Sequence, residues 1–185
     1  LLAGGTVTCW GYNGSGQATV PAGIATATAV SAGGSHSCVL LDGGTVTCWG
    51  DNSSGQASGA VGVTTATAIS AGEYHSCALL AGGTVTCWGA NGSGRATVPA
   101  GIATATSISA GGYHSCALLA GGTVTCWGDN YFGQASGAVG VTTAMAISVG
   151  DYHSCALLAG GTVTCWGYDY SGQATVPAGI TSAMA

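Results

Sequence analysis

Along the chain, short runs of alternating polar and apolar residues stop at glycines, and no window carries the apolar period of a helix. His75-Ser76-Cys77-Ala78-Leu79-Leu80 and Thr84-Val85-Thr86-Cys87-Trp88 flank Ala81-Gly82-Gly83, which predicts two strands joined by a glycine-permitted three-residue turn. Upstream, the β-branched run from Thr64 to Ser70 ends at Ala71-Gly72 and predicts a third short strand. The segment from Trp49 to Gln56 is packed with Asn, Asp, Ser and Gly, whose local hydrogen bonding and tolerance of tight bends predict a loop at the edge of the unit.

This pattern recurs without insertion or deletion. Cys-Trp-Gly begins at residues 9, 48, 87, 126 and 165, always 39 apart, and His-Ser-Cys begins at His36, His75, His114 and His153 with the same step. Pro21, Pro99 and Pro177 lie 78 apart, so the unit that duplicated was a pair of modules. Residues 1–185 therefore read as one all-β tandem-repeat domain of about five modules with boundaries near 9, 48, 87, 126 and 165. Its expected form is a set of β-propeller blades, incomplete or part of a larger ring, with an open β-repeat array or superhelix as the alternative.

If each hairpin turns about its central glycine, Cys77 faces Cys87, and equally Cys38 faces Cys48, Cys116 faces Cys126 and Cys155 faces Cys165. The expectation is four intramodule disulfides, hence an oxidising compartment. Cys9 is the odd one of 9 cysteines, and the strand that would carry its partner falls just before Leu1, so the chain reads as an excerpt of a longer one. Zinc is disfavoured because each module offers at most three ligands where a closed site needs four. Thiol redox chemistry is disfavoured because there is no Cys-x-x-Cys spacing and no neighbouring cation.

Charge narrows the function further. Charged residues are 4% of the chain, the net charge is −5, and Arg95 is the only Lys or Arg, which leaves no basic surface for nucleic acid or anionic lipid. Glycine, threonine and serine interrupt every apolar run, so no helical membrane insertion is expected. No catalytic constellation stands out, and neither a cofactor nor a metal is expected. The recurring histidines read as hydrogen-bonding residues between modules and the five tryptophans as rings packed between them.

The sequence Trp49-Gly50-Asp51-Asn52-Ser53-Ser54-Gly55-Gln56, together with His-Ser-x-Ala-Leu hairpins, resembles the repeat of the regulator of chromosome condensation family. The resemblance spans essentially the whole chain: Trp-Gly occurs at five places and Gly-Gln ends at Gln17, Gln56, Gln134 and Gln173, with Arg95 replacing Gln and Asp169 replacing Asn as departures. It implies a β-propeller, typically seven-bladed, and the short module looks most like the bacterial β-lactamase inhibitor propeller of that class. Seven modules of 39 would need 273 residues (7 × 39), and five would need 195 (5 × 39), ten more than the 185 present. The paired cysteines depart from the apolar residues usual in the family's hairpins, which sets aside the family's nuclear exchange and chromatin roles.

Candidate binding residues lie where the near-identical modules differ. One such place aligns Tyr12, Asp51, Ala90, Asp129 and Tyr168, with Tyr131, Phe132 and Tyr170 two or three residues further on. The other comprises Gly34-Ser35, Glu73-Tyr74, Gly112-Tyr113 and Asp151-Tyr152. Exposed aromatic loop residues supply contact area at small entropic cost. The residues chosen as candidate binding loops are Tyr12, Asp51, Asp129, Tyr131, Phe132, Tyr168 and Tyr170. Asn13, Asn52 and Asn91 begin Asn-x-Ser sequons and are candidate glycosylation sites, although turn chemistry also explains them. The expected function is a non-catalytic extracellular, periplasmic or cell-surface propeller that binds a protein partner or mediates adhesion. The alternatives are a structural fibre in which copies bind one another, and an enzyme-inhibitor propeller.

Overall fold

The computed structural model describes residues 1–184. Each complete module is a three-stranded antiparallel meander. The first contains β1 (Ala27–Ala32), β2 (His36–Leu41) and β3 (Val46–Gly50), and the second β4 (Ala66–Ala71), β5 (His75–Leu80) and β6 (Val85–Gly89). The third contains β7 (Ala105–Ala110), β8 (His114–Leu119) and β9 (Val124–Gly128), and the fourth β10 (Ala144–Val149), β11 (His153–Leu158) and β12 (Val163–Gly167). The only helical element among the described residues is a short 3-10 turn over Ser136–Ala138.

Hairpin register follows from the turn. In the second module Cys77 faces Cys87, Ser76 faces Trp88 and Leu79 faces Val85, and the other three modules repeat this arrangement. The first strand begins at Ala66, later than the β-branched run suggests. Thr65 instead uses its carbonyl to accept the Ala81 amide at the hairpin turn. A one-residue register shift follows Ala66, and the extra residue, Thr67, donates its hydroxyl to the Leu79 carbonyl. Bulges of this kind bend the strand locally.

Successive sheets stack, and no strand pairing joins them into a closed ring among the described residues. The amide of Ala105 donates to the carbonyl of Gly83 in the preceding hairpin turn, and Ala66 and Ala144 do the same to Gly44 and Gly122. Gly83 sits at φ +86, and a Cβ there would lie 2.8 Å from the Ala103 carbonyl oxygen, so both backbone angle and space require glycine. A second row, Gly33, Gly72 and Gly111, has no room for a Cβ because the carbonyl of the next module's equivalent residue lies against it. These glycines line a recess of about 330 Å³ along the inner edge of the array.

The core is divided among module junctions. Trp127 packs with Leu79, Ile102, Ala105 and Ala117, so the ring of one module closes the apolar layer of the one before it. Trp88 and Trp166 occupy equivalent clusters, and Trp49 packs against Val7, Val20 and Ile24. Trp10 departs from the expectation of buried tryptophans: it is 85% exposed.

Candidate binding site

The loop after each third strand is held by its own polar side chains. Asn52 Oδ1 accepts the amides of Ala57 and Ser58, and Gln56 Oε1 accepts that of Ser54. The equivalents Asn130 and Gln134 do the same for Ala135, Ser136 and Phe132. Asp169, which departs from Asn, accepts the amides of Ala174 and Thr175 with a carboxylate oxygen and so preserves the turn. These amides would otherwise lack partners, which accounts for a firm loop with little apolar packing.

Each loop is also tied to the next module. The carbonyl of Gln56 accepts the Trp88 indole N–H at 2.8 Å and the Ser76 hydroxyl at 3.3 Å. Arg95 offers its carbonyl to Trp127 and Ser115 in the same way, and Gln17 to Trp49 and Ser37. The serine hydroxyl completes a chain, since His36 Nε2 lies 2.7 Å from Ser76 Oγ and His75 Nε2 lies 2.6 Å from Ser115 Oγ. Each serine has one proton and gives it to the carbonyl, so the histidine is the donor and its Nε2 carries the hydrogen. The unpaired Nδ1 atoms of His36 and His75 are then lone-pair acceptors.

Desolvation, aided by the Arg95 charge, holds His75 down to about 3, and desolvation holds His114 down to about 4. His36 is lowered for the same first reason. All three are neutral scaffold groups at physiological pH, in the inter-module role read from their recurrence.

On the strand ends carrying these loops, the two sets of variable positions meet. Tyr113 and Tyr152, from adjacent modules, stack with ring centroids 4.6 Å apart and an interplanar angle of 15°. Tyr74 extends the row at 6.0 Å from Tyr113. Phe132 lies edge-on to Tyr152 at 5.7 Å and 4.6 Å from Tyr168, with Tyr131 at right angles beside it and Tyr170 beyond Tyr168. The result is one aromatic ribbon crossing the array, in which Tyr131 and Tyr170 are the most open rings, at 85% and 89% exposure.

Beneath its first part lies Arg95, with its guanidinium carbon 5.0 Å from the Tyr113 centroid and 6.0 Å from that of Tyr74. The side chain is buried and donates to the Gly112 carbonyl, so the sole Arg supports the ribbon from below. The neighbouring Glu73 carboxylate pushes the Tyr74 hydroxyl up to about 12, and the adjacent Tyr113 hydroxyl, with desolvation and the Asp151 charge, pushes Tyr152 up to about 12.

The remaining candidates lie elsewhere or are occupied within their own turns. Tyr12 is exposed and lines a groove of about 420 Å³ that also contains Cys9, Val7 and Val30. Asp51 accepts from Ser53 and Gln56 in its own loop, and Asp129 accepts from Tyr131 and Gln134. Asn13 and Asn91 are exposed, yet each donates its carboxamide N–H to a threonine six residues on; Asn52 is exposed as well. Disulfides join Cys38 to Cys48, Cys77 to Cys87, Cys116 to Cys126 and Cys155 to Cys165, with Cα atoms 4.0–4.1 Å apart, and Cys9 is free. Tyr74, Tyr113 and Tyr152 lie outside the candidate loop set, at the second variable place just before His-Ser-Cys, and stacking of the modules brings them to the loop aromatics.

Repeated meanders stacked through Trp and His, with loops carried on one edge, define a propeller-type β-repeat domain. The chain belongs to the regulator of chromosome condensation (RCC1) repeat family, whose repeat profile matches residues 27–56, 66–95, 105–134 and 146–173. Among solved structures, the entire ectodomain of the receptor kinase CR4 from Physcomitrella patens is 33% identical, with a TM-score of 0.72 over 100% of this chain and 49% of that one. The CRINKLY WD40 ectodomain of the Arabidopsis thaliana receptor kinase ACR4 is 26% identical, with a TM-score of 0.59 over 75% of this chain and 49% of that one. Yeast RCC1 (Prp20), solved bound to Kap60, shares the fold at 20% identity and a TM-score of 0.64, over 77% of this chain and 44% of that one. The chain thus spans about half the length of the ectodomains it matches. No curated protein matches the sequence. Four disulfides and the ectodomain neighbours favour an extracellular setting.

Proposed function

We propose that this chain is a protein-binding domain of an extracellular or cell-surface protein, and that the aromatic rim is its contact face. The observation that carries this reading is the ribbon running from Tyr74 to Tyr170, which gathers residues the repeat scaffold does not require onto loops the scaffold holds still. Preformed aromatic surface of this kind loses little conformational entropy on binding.

Photo-crosslinking tests the reading, with a benzophenone side chain placed at Tyr131 or at Ala120. Ala120 lies in the hairpin turn, at the opposite end of β8 and β9 from the rim. Incubated with the extracellular proteins of the native source, the Tyr131 site is expected to give a discrete protein adduct that the Ala120 site does not. Equal labelling at both, or none at Tyr131, would reject the rim as the contact face.

A second reading, assembly with a further repeat segment, draws on the groove beside free Cys9 and on exposed Trp10. It predicts a Cys9-linked species on a non-reducing gel that Cys9→Ser abolishes; its absence from material isolated without reductant would count against that assembly.

A further inference from the structure

Charge on this molecule is gathered at one end of its strands. Five of the six acidic residues, Asp51, Glu73, Asp129, Asp151 and Asp169, lie at the rim, beside the end where each second strand starts and each third strand stops. Only Asp42 lies at the opposite end, in a hairpin turn. Arg95, the sole Arg or Lys, does little to offset them toward solvent: it is 8% exposed, and its guanidinium is held by the Gly112 carbonyl and the rings of Tyr113 and Tyr74. Asp151 leans over the preceding module, with Oδ1 2.8 Å from where a Cβ on Gly112 would stand, so a carboxylate borders the stacked Tyr113–Tyr152 pair. With the rim as the contact face, on which this inference rests, electrostatic attraction favours a partner that brings cations of its own.

The rings decide which cation. Tyr113 and Tyr152 cover one another at 4.6 Å, and Arg95 takes up Tyr113 and Tyr74, so these rings are engaged within the molecule. Tyr131 and Tyr170 are the open ones, and each has a carboxylate close by in the chain. Asp129 accepts the Tyr131 amide at 2.8 Å, and Asp169 immediately precedes Tyr170. An open phenol ring beside a carboxylate suits a guanidinium, which is planar and weakly hydrated and can lie on the ring while its N–H groups donate to the carboxylate. A lysine ammonium is compact and strongly hydrated, and gains mainly from the charge. Arg95 makes the ring half of this pairing inside the protein, with its guanidinium carbon 5.0 Å from the Tyr113 centroid.

We infer that the rim binds an arginine-rich segment of a partner protein, with guanidinium groups laid on Tyr131 and Tyr170 and drawn to the carboxylates of Asp129, Asp151 and Asp169. The open rings supply the preference for arginine, and the carboxylates supply the attraction.

Fluorescence anisotropy on the oxidised protein tests this with labelled probes of equal length: a Gly-Ser-Arg repeat, a Gly-Ser-Lys repeat, a Gly-Ser-Glu repeat and a neutral glucan oligosaccharide. The Arg probe is expected to bind about tenfold more tightly than the Lys probe, and the other two not measurably. Tyr131→Ala/Tyr170→Ala is expected to weaken the Arg probe about tenfold while leaving the Lys probe within about twofold. Asp151→Asn should weaken both cationic probes, most at low salt, whereas Asp42→Asn, which removes the same charge at the hairpin-turn end, should not. Unchanged far-ultraviolet circular dichroism checks that the variants are folded. Equal binding of the Arg and Lys probes would overturn the guanidinium assignment, and equal binding of the Glu probe the charge requirement. Equal effects of Asp42→Asn and Asp151→Asn would overturn the placement at the rim. Glucan binding lost in the double tyrosine variant would overturn the peptide assignment in favour of a carbohydrate. Failure of every probe would overturn the arginine-rich ligand, while a Tyr131 photo-adduct in the same preparation would keep the rim as a contact face for another protein surface.

Discussion

Ser115 illustrates how much one small side chain carries in a domain with 4% charged residues. Its hydroxyl accepts the His75 N–H and donates to the Arg95 carbonyl, which Trp127 shares, linking the second and third modules through one hydroxyl. Ser115→Ala leaves a donor unpaired in a dry junction and is expected to lower unfolding stability by about 1–3 kcal/mol, read as a shift in the urea midpoint. An exposed control such as Ser93→Ala should move it little.

The buried histidines give a pH signature. Their folded pKa values lie below 6.5, at about 3 for His75 and about 4 for His114, so the unfolded chain takes up protons that the native state refuses. Their contribution is fully present above about pH 6.5 and is lost as pH falls from there toward 4. The urea midpoint should therefore decline over that window; a midpoint constant from pH 7 to pH 4 would contradict buried neutral imidazoles. Sequence periodicity indicated that these histidines join modules. It could not name their partners, because the bonded serine lies 40 residues away and its position depends on how the sheets stack.

At the scale of the element, the hairpin was legible and its neighbour less so. A turn at Ala81-Gly82-Gly83 fixes which residues face each other, and the register placing Cys77 opposite Cys87 follows from counting outward. The start of β4 does not follow from β-branching, since Thr65 is recruited by the hairpin turn and Thr67 by a bulge. Removing one staple as Cys77→Ala/Cys87→Ala should cost about 2–3 kcal/mol on the chain-entropy account, checked by chemical denaturation. Gly83→Ala should also destabilise, because it combines a positive φ with a close approach to the Ala103 carbonyl. A fully tolerated alanine there would argue against the observed junction between hairpin turn and β7.

For the whole molecule, the ribbon was the least legible feature. The exposure of loop aromatics follows from turn composition, but Phe132 and Tyr152 come from different loops and touch only because modules stack at a fixed offset. Glycine is what sets that offset closely enough: Gly111 lies against the backbone of Gly150, leaving no space for a side chain. Gly111→Val is expected to disrupt stacking and, with it, the near-ultraviolet circular dichroism of the Tyr113–Tyr152 pair, even where each hairpin keeps its own disulfide. The division of labour is clear in the residues: Trp, His, Ser and Gly recur to build the array, and Tyr, Phe and Asp vary on the edge it presents.

That account requires stapled modules in an oxidising setting, so the most direct test is peptide mapping of cysteine links in non-reduced protein from its natural source. Bridges are expected at Cys38–Cys48, Cys77–Cys87, Cys116–Cys126 and Cys155–Cys165 and nowhere between those modules. Free thiols at these eight positions, or links crossing from one module to the next, would contradict it.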